Sequence, residues 1–352
     1  MPTGWLVRAC GRGLRGLSSE GHAYYYKICT AWDGGLNFLT MILKSFHSFE
    51  FLFFLICFSG FLTVLSCVHF RETVYLDVYR GEPISFEEMV ESLTNARLIY
   101  VGEVHTLKRH HRFQLRIIEA LYQTNTRLAI GLEMLPFTVQ EHLDRWIEGE
   151  LNEKEFLKLI DWEGNWNIDF GLYKPIFDFA RKKKIRLLAL NAPRALVKTV
   201  ARKGFSGLTD EEKDMLPPVI PSSEEHRELL SLSLKRHKTL GGDMQRSIYE
   251  AQDVWDSTMS HYVVKYLQSE EGSDKTIVVL AGSGHMAYGY GIPARVAMEF
   301  DLPYRIIVPT GSGDIEFKEE WRKYIEPTEL THEDFNFIQR PIGDFIFLVP
   351  LR

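Results

Sequence analysis

Two histidines of this chain stand in the same setting: Gly102-Glu-Val-His105 follows the apolar run "LIYV", and Gly282-Ser-Gly-His285 follows "TIVVLA". A glycine at the end of a buried strand lets the backbone turn out of the sheet, so the imidazole behind it is placed to hold a ligand or move a proton. Glu103 lies inside the first motif, and Glu133 lies near the end of a third apolar run, "RLAIGLEM". Two imidazoles and two carboxylates converging on one point suit two kinds of chemistry. His105, His285, Glu133 and Glu103 could ligate a divalent metal such as Zn²⁺, Mn²⁺ or Fe²⁺ through nitrogen and oxygen. The same groups could be catalytic, with Glu103 or His105 as general base on a water while His285 holds the metal or a developing oxyanion. Each histidine needs a partner for its second ring nitrogen, and Asp256 and Asn191 are the candidates.

Bringing these residues together takes an open sheet. Short aliphatic runs recur at 97–104, 127–134, 185–191, 276–284, 304–309 and 345–350, separated by amphipathic stretches. That alternation indicates an α/β fold with a mostly parallel central sheet flanked by helices. The runs at 98–103, 128–133, 186–190 and 276–281 are expected at its centre. Ligands bind outside the carboxyl ends of such strands, where Glu103, His105, Glu133, Asn191 and His285 all fall. Phe113, Ile117 and Leu121 recur at helical spacing, as do Leu115, Ile118 and Tyr122. Residues 243–268 read as one long helix, with Gln252, Asp256 and Met259 on one face and Trp255, Tyr262 and Tyr266 on another. Segments 136–184 and 205–242 are too long for crossovers and are expected to form a helical cap over the strand ends. The first reads as two or three helices broken at Gly149 and Gly164, and carries Trp146, Trp162, Trp166 and Tyr173. Arg112 in "KRHHR" either reaches back to an anionic ligand or belongs to a solvated helix start.

Of the 352 residues, 45% are apolar and 25% charged, the balance of a globular protein. A net charge of −6 with short, separated basic clusters gives no field for nucleic acid. The chain has no Gly-x-Ser-x-Gly elbow, no phosphate loop and no conventional dinucleotide fingerprint. Residues 51–65 carry no formal charge but fall short of the roughly 20 a membrane helix needs. They fit a signal peptide over 41–67, with Lys44 in its basic region and "VLSC" as a lipobox whose Cys67 receives lipid. All four cysteines (Cys10, Cys29, Cys57 and Cys67) fall at or before that point, leaving the rest of the chain free of thiols for an oxidising compartment. Translation is expected to begin at Met41, with residues 1–40 untranslated or disordered, 68–84 a linker and 85–352 the domain. The expected location is a bacterial membrane, held by a lipid anchor; Val68 in place of an aspartate favours the outer membrane, facing the periplasm.

The motifs "GEVHT…HHRFQ", "GLEM…PF", "LDRWIEGELNEKEFLK", "W…NWNIDFGLYKPIFDFAR", "LLALNAPRALV", "AQDVWDSTM" and "AGSGHMAYGYGIPARV", in that order, resemble the ChaN-like haem-binding lipoproteins of the Tiki superfamily over about residues 85–310. The resemblance implies a lipid-anchored α/β domain with a helical cap and a role in haem or iron uptake. Haem would be bound at a homodimer interface with a tyrosine as axial ligand, for which Tyr173, Tyr288 and Tyr290 are the candidates. Asn167, Arg112, Asn191 and Asp256 complete the candidate ligand-binding set. The superfamily also contains erythromycin-esterase-like hydrolases and metal-dependent proteases, so a metal-dependent or His/Glu-based hydrolase is the alternative.

Overall fold

The computed structural model describes residues 73–124, 127–234, 242–309 and 332–348. Residues 1–40, the signal segment 41–67 with Cys67, the first residues of the expected linker, and part of the segment at 205–242 lie outside the described residues. Among the described residues no helix is long and apolar enough to cross a membrane.

The chain opens with a hairpin, β1 (Val74–Asp77) and β2 (Glu82–Ile84), followed by α1 (Phe86–Thr94), β3 (Leu98–Glu103), α2 (Lys108–Gln123) and β4 (Leu128–Pro136). Four helices come next: α3 (Gln140–Glu148), α4 (Glu153–Leu159), α5 (Trp162–Asn165) and α6 (Phe170–Lys183). After β5 (Arg186–Asn191) come α7 (Arg194–Lys203), α8 (Asp210–Asp214), α9 (Glu224–Leu234) and the long α10 (Gly242–Gln268). β6 (Thr276–Gly282), α11 (Ile292–Ala297), β7 (Tyr304–Pro309) and β8 (Phe345–Leu348) complete the order.

All eight strands form one sheet in the order β2-β1-β8-β7-β3-β6-β4-β5. The six strands from β8 to β5 run parallel, and only the hairpin is antiparallel, β1 pairing with β8. Every residue of β3, β4 and β6 is buried, because successive side chains point into two different cores. Ile99, Val101, Ile130, Leu132, Val278 and Leu280 pack with Ile117, Leu121, Trp146, Phe156 and Phe177 from α2, α3, α4 and α6. Leu98, Tyr100, Ala129, Ile277 and Val279 face the other way, onto Met259, Val263 and Val264 of α10 and Ile292 and Val296 of α11.

The fold class is the one expected, with five local differences. The run at 186–190 forms β5 at the edge of the sheet; its apolarity comes from α3 and α10, which cover it. Residues 74–84, expected as linker, form the hairpin, and Tyr75 packs between Phe86 and Phe113. The segment 136–184 breaks at Gly149, a left-handed C-cap with φ 86°, but Gly164 lies inside the short α5, whose Asp161 N-cap accepts from its N–H. Trp146 and Trp162, expected in a ligand-facing cap, are core residues exposing 2% and 4% of their surface. Leu115 is only partly buried and Tyr122 is exposed, so the apolar buried face of α2 is the Phe113, Ile117, Leu121 stripe together with Ile118.

Candidate functional site

Strand order explains how residues so far apart in sequence meet. β6 lies between β3 and β4, so the carboxyl ends that carry Glu103, His285 and Glu133 are immediate neighbours. Glu103 pairs in register with Gly282. Gly282 is the point of closest approach: a Cβ there would stand 2.8 Å from His105 Cε1 and 3.0 Å from its Nε2. Its φ of −55° is open to any residue, so the glycine is required by space and not by backbone strain. At Gly291 the reason is double, since φ is +68° and a Cβ would collide with the carbonyl of His285.

The polar side chains form one continuous chain. Glu103 is wholly buried and accepts from four donors: Tyr173 Oη at 2.6 Å, His105 Nδ1 at 2.8 Å, Gln114 Nε2 at 2.8 Å and His111 Nδ1 at 3.3 Å. His105 points its Nε2 toward Glu133 Oε1 at 4.0 Å, and His285 Nε2 meets the same oxygen at 3.2 Å. The other Glu133 oxygen accepts from the Gly282 N–H at 2.5 Å. His285 Nδ1 donates to Asp256 Oδ1 at 2.6 Å, and Arg295 stands 3.6 Å behind that carboxylate. The two Gly-x-x-His histidines therefore share Glu133.

Burial alone would raise the carboxyl pKa values, and the cations around them reverse this. Hydrogen bonds and charge from His105 and His111 hold Glu103 well below the usual carboxylate range. His285 and His105 do the same for Glu133, and His285 with Arg295 for Asp256. Burial would make His285 harder to protonate, but its two carboxylate neighbours push it up to about 10. His285 is thus an imidazolium at neutral pH. His111 is raised by Glu103 against the same burial penalty.

This arrangement does not suit a divalent metal. His285 gives both ring nitrogens to carboxylates, so the lone pairs an imidazole would offer a metal there are protonated. Among the described residues no group of three or more His, Cys, Asp or Glu side chains is placed to hold one. The nitrogen that remains is His105 Nε2. With Nδ1–H donated to Glu103, the ring in its neutral form would carry its lone pair at Nε2, on a side chain that is 23% exposed.

Of the other expected ligand-binding residues, Tyr173 and Asp256 join the network, while Asn191 supports it from the main chain, its Nδ2 donating to the Glu133 carbonyl at 2.7 Å. Asn191 therefore partners neither histidine. Arg112 is exposed on α2, with no partner in the network. Asn167 is also exposed, at φ 62°, and lines a surface groove of about 580 Å³ beside Asp161, Glu163 and Asp169. Tyr290 is buried against His226, ring centroids 5.6 Å apart, and Tyr288 is half-buried with its N–H on the Ile342 carbonyl. Desolvation raises the pKa of Tyr173, Tyr288 and Tyr290, which works against a tyrosinate ligand at each.

His111 and Gln114 were not among the expected site residues, and Trp166 was expected only as one of the aromatics of the cap. The first two had a legible signal: three apart on α2, they lie on its apolar face beside Phe113 and Ile117, so "KRHHR" is a half-buried helix start and not a solvated one. Trp166 follows α5, and its ring lies 4.7 Å from that of His105.

A ChaN protein of Campylobacter jejuni, solved with haem bound cofacially, is 20% identical and superposes with a TM-score of 0.58 over 79% of this chain and 97% of its own. An erythromycin esterase in its open conformation, 14% identical, covers 64% of this chain and 72% of its own with a TM-score of 0.41. Among curated proteins, the chloroplastic Protein RETICULATA-RELATED 5 of Arabidopsis thaliana is 24% identical over 249 residues, 65% of this chain. The match spans only a third of that plant protein's length. The family model described as haem-binding uptake, Tiki superfamily, ChaN matches residues 89–296, which include both Gly-x-x-His motifs, Glu133 and Asp256. With more than half of its length matched by that model, the chain belongs to the ChaN haem-binding uptake family of the Tiki superfamily.

Proposed function

We propose that this protein binds haem for haem or iron uptake, with His105 Nε2 as the axial ligand. The supporting observation is that nitrogen: among the ring nitrogens of the network it alone makes no hydrogen bond, its nearest carboxylate oxygen being Glu133 Oε1 at 4.0 Å, and Glu103 on the opposite ring nitrogen orients the imidazole and strengthens it as a ligand. Two copies pairing face to face around haem would extend to this chain the cofacial binding named for the Campylobacter protein. The test is a hemin titration of the full chain, followed by Soret absorbance and light scattering. A Soret shift with a doubling of mass is expected, and His105→Ala is expected to lose the shift. A parent chain that leaves hemin unchanged would refute the reading.

The Glu103–His105 pair also supports a second reading, a His/Glu-based hydrolase in which the oriented imidazole takes a proton from water. For location, the sequence of 41–67 supports a lipid-anchored protein attached through Cys67, whereas the chloroplast named for the plant relative supports a plastid. Membrane fractionation of the parent and Cys67→Ala separates the two, since loss of membrane attachment in the variant is expected only of the lipoprotein.

A further inference from the structure

We infer that Trp166 is the surface against which the flat face of the ligand lies, so that the site selects a planar macrocycle through an indole and an imidazole held at right angles. This rests on the haem reading above. The Trp166 and His105 rings are 4.7 Å apart with their planes at 78°, and both residues are partly exposed. An imidazole lone pair lies in the plane of its ring, so a macrocycle coordinated through Nε2 must stand across that plane. A ring already perpendicular to the imidazole can lie parallel to such a macrocycle; a ring stacked on the imidazole cannot. Offset stacking between flat aromatic faces then adds to affinity without any demand on the iron.

The indole is tied in place. Trp166 Nε1 donates to Tyr173 Oη at 3.1 Å, and Tyr173 donates in turn to Glu103 Oε1 at 2.6 Å, the oxygen that also receives His105 Nδ1. One carboxylate oxygen thus sets both rings, which makes Tyr173 a positioning residue. Its own ring is held by His111 and Trp162, with centroids 4.2 and 5.5 Å away. Trp146 and Trp162 present no face to the ligand, since their indoles are buried and donate to the carbonyls of Phe177 and Ile168.

The experiment is a titration of the full chain with hemin and, separately, with iron-free protoporphyrin. Trp166→Ala is expected to weaken both by about two- to tenfold, the worth of one aromatic pair. Trp166→Phe should recover most of the loss, and Trp166→Leu, which keeps bulk but no planar face, should not. His105→Ala is expected to abolish the hemin Soret shift while protoporphyrin still binds. Leu and Ala variants that are folded by circular dichroism and bind both porphyrins as tightly as the parent would overturn the proposal. So would a loss confined to hemin. A parent chain that binds neither porphyrin overturns the haem reading itself, a different result from a parent that binds with indifferent Trp166 variants.

Discussion

His285 owes its charge to the two carboxylates that flank it. Its folded pKa of about 10 lies above its ordinary 6.5, so the stability it contributes is complete below pH 6.5 and is lost as pH rises toward 10. Glu133 and Asp256 work in the opposite sense: held below their ordinary 4.5 and 3.8, they contribute stability that is complete above those values and lost on acidification. The contributions of these three groups are flat between about pH 4.5 and 6.5, whereas His110 and His226, held down by burial at about 3 and 4, take stability away as pH falls below 6.5, so stability is expected to peak near pH 6.5 and to fall on either side. His285→Asn, which removes the cation between the two carboxylates, should be less stable than the parent at pH 6 and should have a shallower alkaline decline, the remainder coming from His111. Thermal midpoints from pH 5 to 10 measure this, and an Asn variant with the parent's alkaline slope would remove His285 as its cause.

At the level of elements, the hairpin β1–β2 shows both what the sequence makes legible and what it hides. The six aliphatic runs read as strands because fully buried parallel strands are apolar along their whole length. The hairpin is short, lies at the sheet edge and carries Arg80, Gly81, Glu82 and Pro83, a composition shared with linkers; Pro83 is tolerated because β2 has no partner on its outer side. Its turn was nonetheless encoded: Asp77 Oδ1 accepts from the N–H groups of Tyr79 and Arg80, and Gly81 follows at φ 70°. The site was legible in part for a similar reason. Residues at strand ends can be found from the runs themselves, whereas Trp166 approaches His105 from a capping segment through a sequence separation that no periodicity reports. The hairpin carries a testable consequence. A chain beginning at Ser85 loses Tyr75, with its contacts to Phe86 and Phe113 and its hydrogen bond from Arg116, and bares the edge of β8. Beginning at Ser85 instead of Thr73 is expected to cost about 2–3 kcal/mol from the aromatic side chain alone and to promote aggregation, measured by urea unfolding and sedimentation.

On the scale of the whole molecule, the site depends on pairings between distant parts of the chain. Asp253 and Arg295, both buried, join α10 to α11, and through the Ile220 carbonyl and Ser222 they hold the loop before α9 against them. The insertion of β6 between β3 and β4 also has a meaning for the order of biosynthesis. β3 and β4 emerge from the ribosome early, yet neither can close on the other, because the place between them belongs to a strand that starts at Thr276, 140 positions after β4 ends at Pro136. At roughly 5–20 residues per second that interval lasts about 7–28 s, during which Glu103 and Glu133 have no His285 to share and two strand edges stand open. The nascent chain therefore completes its ligand site in the same event that closes its sheet, and a chain arrested before β6 carries the acids of the site without its buried cation.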